Sequence, residues 1–475
     1  MDGLLRRLPL FMLAFVLVGG TGSVFALADG AAARATVAHG TAAAGAAGGT
    51  ATPVTVGIHD GAINNCDRYE TQTTAPTAKQ YAEAGSSFND PRFMALNVQT
   101  VRVSMPWDIA DPILDPTRAG RKVLIVEQAC LDAWLQAANV HHLTPEIAFK
   151  PDYNDVFHVK SGWRIAMPTL SQYEQAISAF RDKYIACNPA VAGQGVCGTW
   201  APVTILSPWG EPDFSSPKAA GLFHAPQRFY LADRKHLFGR AACPTRPTIT
   251  NCGPKLAAQL WVVVEHRVVQ GVGHAPKCGG CIVIAGDFSS GGGLNGYLTT
   301  YTHNLRDLAG GHQTYHPAVW GVHPYTDIVT IENFYSHLRP KPRLARTLVA
   351  RFAAALHHLS PRWYNQRTSI WLNEITVFYQ YGLSVPSATN HPKRHPTWSR
   401  AIQADAARYL LSTLADAGGR TTRGEPVVRR LYYLPYTNLK WWALVVGTTF
   451  TRSGQLSGGK TVPAYAVFAH RRTTQ

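Results

Sequence analysis

The chain has 475 residues, 46% of them hydrophobic and 16% charged, which excludes an intrinsically disordered protein and leaves room for one large α/β domain or two ordinary ones. Its formal charge of +16 comes from scattered Lys and Arg. No basic tract is interleaved with aromatics in the manner of a nucleic-acid binder, so the charge reads as a property of a solvated surface.

Residues 1–28 read as a secretory signal peptide. Arg6 and Arg7 supply the positive start, Leu8 to Val18 the apolar stretch, and Ala26-Leu27-Ala28 an A-x-A cleavage site. An uncleaved anchor is the alternative, but the apolar run is short for a membrane span and no later segment reaches the required length. Residues 29–52 form an Ala/Gly/Thr-rich linker, and 53–475 is expected to be one catalytic domain. Secretion permits disulfides among the eight cysteines. Cys187 with Cys197 and Cys243 with Cys252 bracket Pro- or Gly-containing loops; Cys278 and Cys281 either close on each other or pair outward; Cys66 and Cys130 remain. Spacing does not fix the connectivity. The two matched C-x-x-C pairs of a structural zinc site are absent, so the expectation is long loops stapled by disulfides, with no metal.

In chain order, Val54 to Ile58 is a short strand ending at His59 and Asp60. Residues 90–97 have helical spacing and lead to a second strand, Thr100 to Ser104, followed by Met105-Pro106-Trp107. A helix over 127–139 leads to Glu146-Ile147-Ala148-Phe149, ending at Lys150. A helix over 171–186 leads to the fourth strand, Val203 to Ser207, which Pro208 stops before Trp209-Gly210-Glu211-Pro212-Asp213. Helices at 254–270, 295–308, 342–358 and 399–416 alternate with strands at 281–288, 318–325, 369–376 and 427–433, and a closing helix spans 463–470.

Eight apolar strands alternating with helices, with no run of consecutive strands elsewhere, predict a parallel sheet, and eight repeats predict a (β/α)8 TIM barrel with long βα-loops. A doubly wound open sheet is the runner-up, but no glycine-rich phosphate turn follows the first strand.

In a barrel the carboxyl ends of the strands converge on one face. That gathers Arg102, Trp107, Trp209, Glu211, His323, Tyr325, Glu374 and Trp441 or Trp442 around one mouth. Glu211 and Glu374 form the carboxyl pair a glycosidase uses, one protonating the leaving oxygen and the other attacking the anomeric carbon. Arg102 and Tyr325 are placed to keep the second carboxylate ionised, and the aromatics suit the faces of sugar rings. Against this, Glu211 also fits a first-turn helix glutamate, Arg102 a structural ion pair, His323 a satisfied core histidine, and the tryptophans plain core residues.

Five short motifs in this order resemble clan A retaining glycoside hydrolases, the cellulase-like family five and xylosidase-like family thirty-nine among them. Trp209-Gly210-Glu211-Pro212 is similar to the Trp-Asn-Glu-Pro motif of the acid/base, and Trp371-Leu372-Asn373-Glu374 to the strand-seven nucleophile motif. Val101-Arg102-Val103, His323-Pro324-Tyr325 and Val462-Pro463-Ala464-Tyr465 match the strand-two arginine, the strand-six His-x-Tyr and the start of the last helix. The resemblance covers about residues 54–470. It implies Glu211 as acid/base and Glu374 as nucleophile, with Arg102, Trp107, Trp209, His323, Tyr325 and Trp441 binding substrate. It also implies an oligo- or polysaccharide substrate, cleaved without a cofactor by a secreted monomer.

One position departs from the pattern. The clan's asparagine before the acid/base bonds the sugar 2-hydroxyl, and here it is Gly210. Asn373, beside the nucleophile, is expected to point away from the pocket by strand alternation. The competing functions are a carbohydrate-binding barrel that has lost catalysis, and a metal-dependent hydrolase, for which no H-x-H or H-E-x-x-H signature lies at a strand end.

Overall fold

The computed structural model describes residues 54–60, 77–110, 121–150, 156–159, 162–165, 168–185, 199–213, 252–271, 277–289, 294–308, 315–335, 340–359, 368–377, 400–434, 437–438, 444–453 and 455–470. The signal and linker segments lie outside them, as do Cys66, Cys187, Cys197, Cys243, Trp441 and Trp442.

Eight strands close a barrel: β1 (Thr55–His59), β2 (Thr100–Pro106), β3 (Thr144–Lys150), β4 (Ile205–Ser207), β5 (Ile282–Phe288), β6 (Val319–Val322), β7 (Ser369–Ile375) and β8 (Val428–Tyr433). They pair in the order β1-β8-β7-β6-β5-β4-β3-β2, every neighbour parallel. The predicted (β/α)8 barrel is the observed one. Helices α1 (Ala78–Ala84), α2 (Pro91–Ala95), α3 (Arg121–Val140), α4 (Leu170–Tyr184), α5 (Cys252–Val264), α6 (Leu294–Leu308), α7 (Tyr325–Tyr335), α8 (Leu348–Leu359), α9 (Arg400–Tyr409) and α10 (Pro463–Ala469) accompany them. Their starts follow from local chemistry. Thr169 and Gln172 form a capping box at α4, Asp90 caps α2 ahead of Pro91, and Pro463 opens α10. No helix among the described residues is long and apolar enough to cross a membrane.

Strand alternation sorts the side chains into two populations. Ile58, Val101, Val103, Ile147, Leu206, Val283, Val322, Leu372 and Leu431 face outward into the main core under the helices. Ile205, Ile284, Val319, Trp371 and Tyr432 face inward and form a separate apolar plug inside the barrel. The inward positions nearer the carboxyl ends are polar: Arg102 and Glu146 are register partners on β2 and β3, and both are fully buried.

Three features depart from the sequence reading. A three-stranded sheet, β9 (Thr437–Asn438), β10 (Val445–Phe450) and β11 (Leu456–Thr461), follows β8, so strands do run consecutively there. β11 is a largely exposed strand containing Gly458 and Gly459, both at positive φ, and it lacks the apolar alternation that announces a strand. A second unanticipated pair, Val156–Val159 with Gly162–Ile165, forms an antiparallel hairpin after β3. Finally, the β6–β7 connection holds two helices. α7 begins at Tyr325, and its Asp327 accepts from the Leu348 and Val349 N–H groups at 2.7 and 3.2 Å, capping α8 from outside.

Among the described cysteines, Cys278 and Cys281 are bonded to each other, one of the two arrangements their spacing allowed. Cys130 is also disulfide-bonded.

Candidate active site

Two irregularities aim the site's acidic groups. On β5, Gly286 pairs with Gly321 and Phe288 with Val322, which leaves Asp287 as an extra residue. Gly286 and Asp287 both have positive φ, 89° and 61°, and a Cβ on Gly286 would fall 2.0 Å from the Phe288 ring. On β7, Leu372 and Ile375 pair with Leu431 and Tyr433, so two residues, Asn373 and Glu374, oppose one. That bulge overrides strict alternation and turns both side chains inward. Asn373, expected to face away, donates from Nδ2 to Asp287 Oδ1 at 2.5 Å.

Glu374 is held from two sides. Arg102 Nη1 donates to its Oε1 at 2.8 Å, and the Tyr325 hydroxyl donates to its Oε2 at 2.8 Å. The same Arg102 Nη1 lies 2.7 Å from His59 Nδ1. A guanidinium has only donors, so His59 Nδ1 accepts and the ring carries its proton on Nε2. Burial, reinforced by the Arg102 charge, pushes the His59 pKa down to about 3, which keeps it neutral. Burial alone would raise the Glu374 pKa, but the charges of His323 and Arg102 outweigh it and hold the carboxyl well below the usual range. Glu374 is held ionised.

Glu211 lies just beyond β4 with φ 49°, a left-handed conformation that a non-glycine residue adopts at a cost. Its N–H donates to the Asp287 carbonyl at 3.0 Å, and the Gly210 N–H to the Phe149 carbonyl at 3.0 Å. These two bonds fix the turn. Glu211 Oε1 sits 3.0 Å from His323 Nδ1, while His323 Nε2 is 3.3 Å from Asp287 Oδ1. One oxygen of Glu211, a nitrogen of His323 and one oxygen of Glu374 all lie within 4.8 Å of one another. Positive charge for these carboxylates comes from Arg102 and His323 themselves.

The structure therefore brings together Arg102, Glu211, His323, Tyr325 and Glu374 from four different segments. Their positions sort by burial. Arg102 and His323 are fully buried. Arg102 spends its three nitrogens on Glu146, Glu374, His59 and Asp287. Trp107 and Trp209 retain 5% and 2% exposure and pack near Tyr173 of α4 as part of the core. Trp441 lies outside the described residues.

Sequence reasoning missed His59, Glu146, Ser207, Asp213 and Asp287. Asp287 carried the clearest signal, a carboxylate inside an otherwise apolar strand, and Glu146 stood in a like setting. Burial raises the Glu146 pKa to about 7 despite Arg102. Asp213 is buried two residues past Glu211, accepts from the Ser289 N–H at 2.7 Å, and is pushed up to about 8, first by burial.

No family model matches the chain, and no curated protein does. Solved structures to which it is similar include a family 39 glycoside hydrolase from the gut symbiont Bacteroides cellulosilyticus WH2, at 14% identity and a TM-score of 0.45, over 88% of this chain and 63% of that one. They also include GH5_18 from Streptomyces cattleya in complex with GlcNAc, at 15% identity and a TM-score of 0.46, over 88% and 80% of the two chains. A β-glucosidase from Thermotoga maritima is similar at 10% identity and a TM-score of 0.41, over 88% and 97%. The chain spans less than two thirds of the length of the first of these. All three are glycosidases by name, the class whose motifs this sequence resembles.

Proposed function

We propose that the protein is a retaining glycoside hydrolase acting on β-linked oligo- or polysaccharide by double displacement, with Glu374 as nucleophile and Glu211 as acid/base. The observation that carries this is the approach of a Glu211 oxygen to within 4.8 Å of a Glu374 oxygen. Retaining pairs stand about 5–5.5 Å apart, whereas inverting pairs need roughly 6.5–9.5 Å to admit a water between them.

In the first half-reaction Glu374 attacks the anomeric carbon as the Glu211 proton passes to the departing glycosidic oxygen. The ionised state enforced by Arg102 and the Tyr325 hydroxyl supports Glu374 in that role. In the second, Glu211 takes a proton from water, and the water oxygen displaces Glu374 from the sugar. The test is chemical rescue. In Glu211→Ala, azide should restore turnover of an activated aryl glycoside and yield a glycosyl azide of retained configuration. Glu374→Ala should give only the inverted azide. Rescue with the same stereochemistry in both variants contradicts the assignment.

Secretion belongs to the same proposal, together with a signal peptide at 1–28, a linker at 29–52 and one domain from 53, working as a monomer. The A-x-A site at Ala26 to Ala28 supports it, as does the bonded pair Cys278–Cys281, a bond favoured in oxidising compartments. Disulfide staples in the long βα-loops are part of that expectation.

A second reading is a barrel that binds glycans without cleaving them. Gly210 favours it, since a glycine brings no side chain to the sugar 2-hydroxyl, and the Asn373 amide is committed to Asp287. Glycan binding without release of reducing sugar by the unmutated protein would select this reading.

A further inference from the structure

Asp287 takes no part in the bond-making steps above, yet it touches both halves of the site. Its Oδ2 accepts from Arg102 Nη2 at 2.6 Å and from the Ser207 hydroxyl at 2.7 Å. Its Oδ1 receives Asn373 Nδ2 at 2.5 Å and faces His323 Nε2 at 3.3 Å. Its carbonyl accepts the Glu211 N–H. Arg102 continues from it to the nucleophile, and His323 continues to the acid/base.

Both ring nitrogens of His323 face carboxylate oxygens: Nδ1 lies 3.0 Å from Glu211 and 3.5 Å from Glu374, and Nε2 faces Asp287. A neutral ring would turn a lone pair either toward Asp287 at 3.3 Å or toward Glu374 at 3.5 Å, both ionised carboxylates, which is repulsive. The doubly protonated ring satisfies both sides.

We propose that Asp287 is the positioning residue that holds His323 as an imidazolium against Glu211 and thereby sets the strength of the acid. The proposal rests on the glycosidase reading for its consequence in catalysis. When Glu211 gives its proton to the leaving oxygen, the bonding electron pair departs with that oxygen. The carboxylate left behind is then met by the Nδ1–H of His323. Asp287 stabilises the cation that does this, in a buried site where a fixed charge acts strongly.

The groups facing His323 from the surrounding segments are Arg102, which opposes its charge, Asp287, Glu374 and Glu211, which favour it, Asp213, which favours it when ionised, and His59, which is neutral, with the Tyr325 ring at 6.1 Å. Burial would lower the His323 pKa, but the carboxylates outweigh it and raise the value to about 10.

Asp287→Asn keeps the size and removes the charge. A purely structural role would slow all substrates alike. The proposed role predicts that kcat/KM falls by about 10²-fold for a phenyl glycoside, which needs a proton on its leaving group. It predicts a fall of less than about tenfold for a dinitrophenyl glycoside, which needs none. The alkaline limb of the phenyl-glycoside profile should also move to higher pH, because Glu211 without the imidazolium is a weaker acid. Equal losses on the two substrates with an unmoved limb overturn the proposal.

A second measurement does not depend on Asp287→Asn or on glycosidase activity. In ¹⁵N spectra of the unmutated protein at pH 8, the ring assigned to His323 by comparison with His323→Gln should carry protons on both nitrogens. A neutral ring there overturns the proposal. If the imidazolium is present but no glycoside is hydrolysed, the glycosidase reading fails and the electrostatic arrangement stands.

Discussion

Arg102 Nη1 lies 2.8 Å from Glu374 Oε1 while Nε of the same guanidinium lies 2.8 Å from Glu146 Oε1. The fork is therefore anchored at one end and presents the other to the nucleophile. Register explains the anchor: Arg102 and Glu146 are paired positions on adjacent parallel strands, so they share the barrel interior at the same height.

Arg102→Lys removes that fork. A lysine is a point charge with a single nitrogen and cannot serve Glu146, Asp287 and Glu374 together. Leaving buried carboxylates uncompensated is expected to cost about 3–5 kcal/mol of stability and to raise the Glu374 pKa. Denaturant unfolding reads the first, and an acid limb displaced to higher pH reads the second. An unchanged midpoint and pH profile contradict this account.

Stability at alkaline pH should depend on His323. Its folded pKa, near 10, stands above the ordinary 6.5, so the folded state binds the proton more tightly. The resulting stabilisation is complete below about pH 6.5 and is lost as pH rises through about 10. Thermal melts at pH 6 and pH 10 should show a larger fall for the unmutated protein than for His323→Gln. Parallel falls would exclude the imidazolium as the source.

Asp213 predicts a gain. Its folded pKa of about 8 lies above the usual 3.8, so its contribution to stability also declines as pH rises, across the window from about 3.8 to 8. Asp213→Asn keeps an oxygen for the Ser289 N–H and carries no charge at any pH. The variant should be more stable than the unmutated protein at pH 8, on the order of 1–3 kcal/mol, with the advantage shrinking toward pH 4. A variant that is less stable at both pH values would contradict the assignment of Asp213 as a buried acid.

Gly321 makes room for the Asp287–Asn373 contact. A Cβ there would fall 2.5 Å from Asp287 Oδ1 and 2.7 Å from Asn373 Nδ2. Gly321→Ala should cost about 1–3 kcal/mol through overpacking and reduce kcat more than KM, since it displaces the groups that orient the catalytic pair. Steady-state kinetics with full retention of kcat would show that the contact is dispensable.

The barrel was legible because buried parallel strands are written as short apolar runs of β-branched residues, and eight of them alternate with helical periods. β11 was not, because Gly458, Gly459 and its exposed neighbours carry no burial pattern. The carboxyl pair was legible for a related reason: Glu211 and Glu374 are costly residues at the ends of apolar strands. The framework behind them was harder to read. Asp287 and Asn373 reach the interior through bulges, and a bulge changes the parity on which a strand reading depends. His59 stands beside Glu374 because the barrel closes through β1 pairing with β8, which joins sequence-distant segments and leaves no local mark.

The central claim is that Glu211 and Glu374 act as a retaining pair. The most direct test is the anomeric configuration of the first sugar released, followed by proton NMR before mutarotation. The account predicts release with the configuration of the substrate; initial release of the opposite anomer would contradict it.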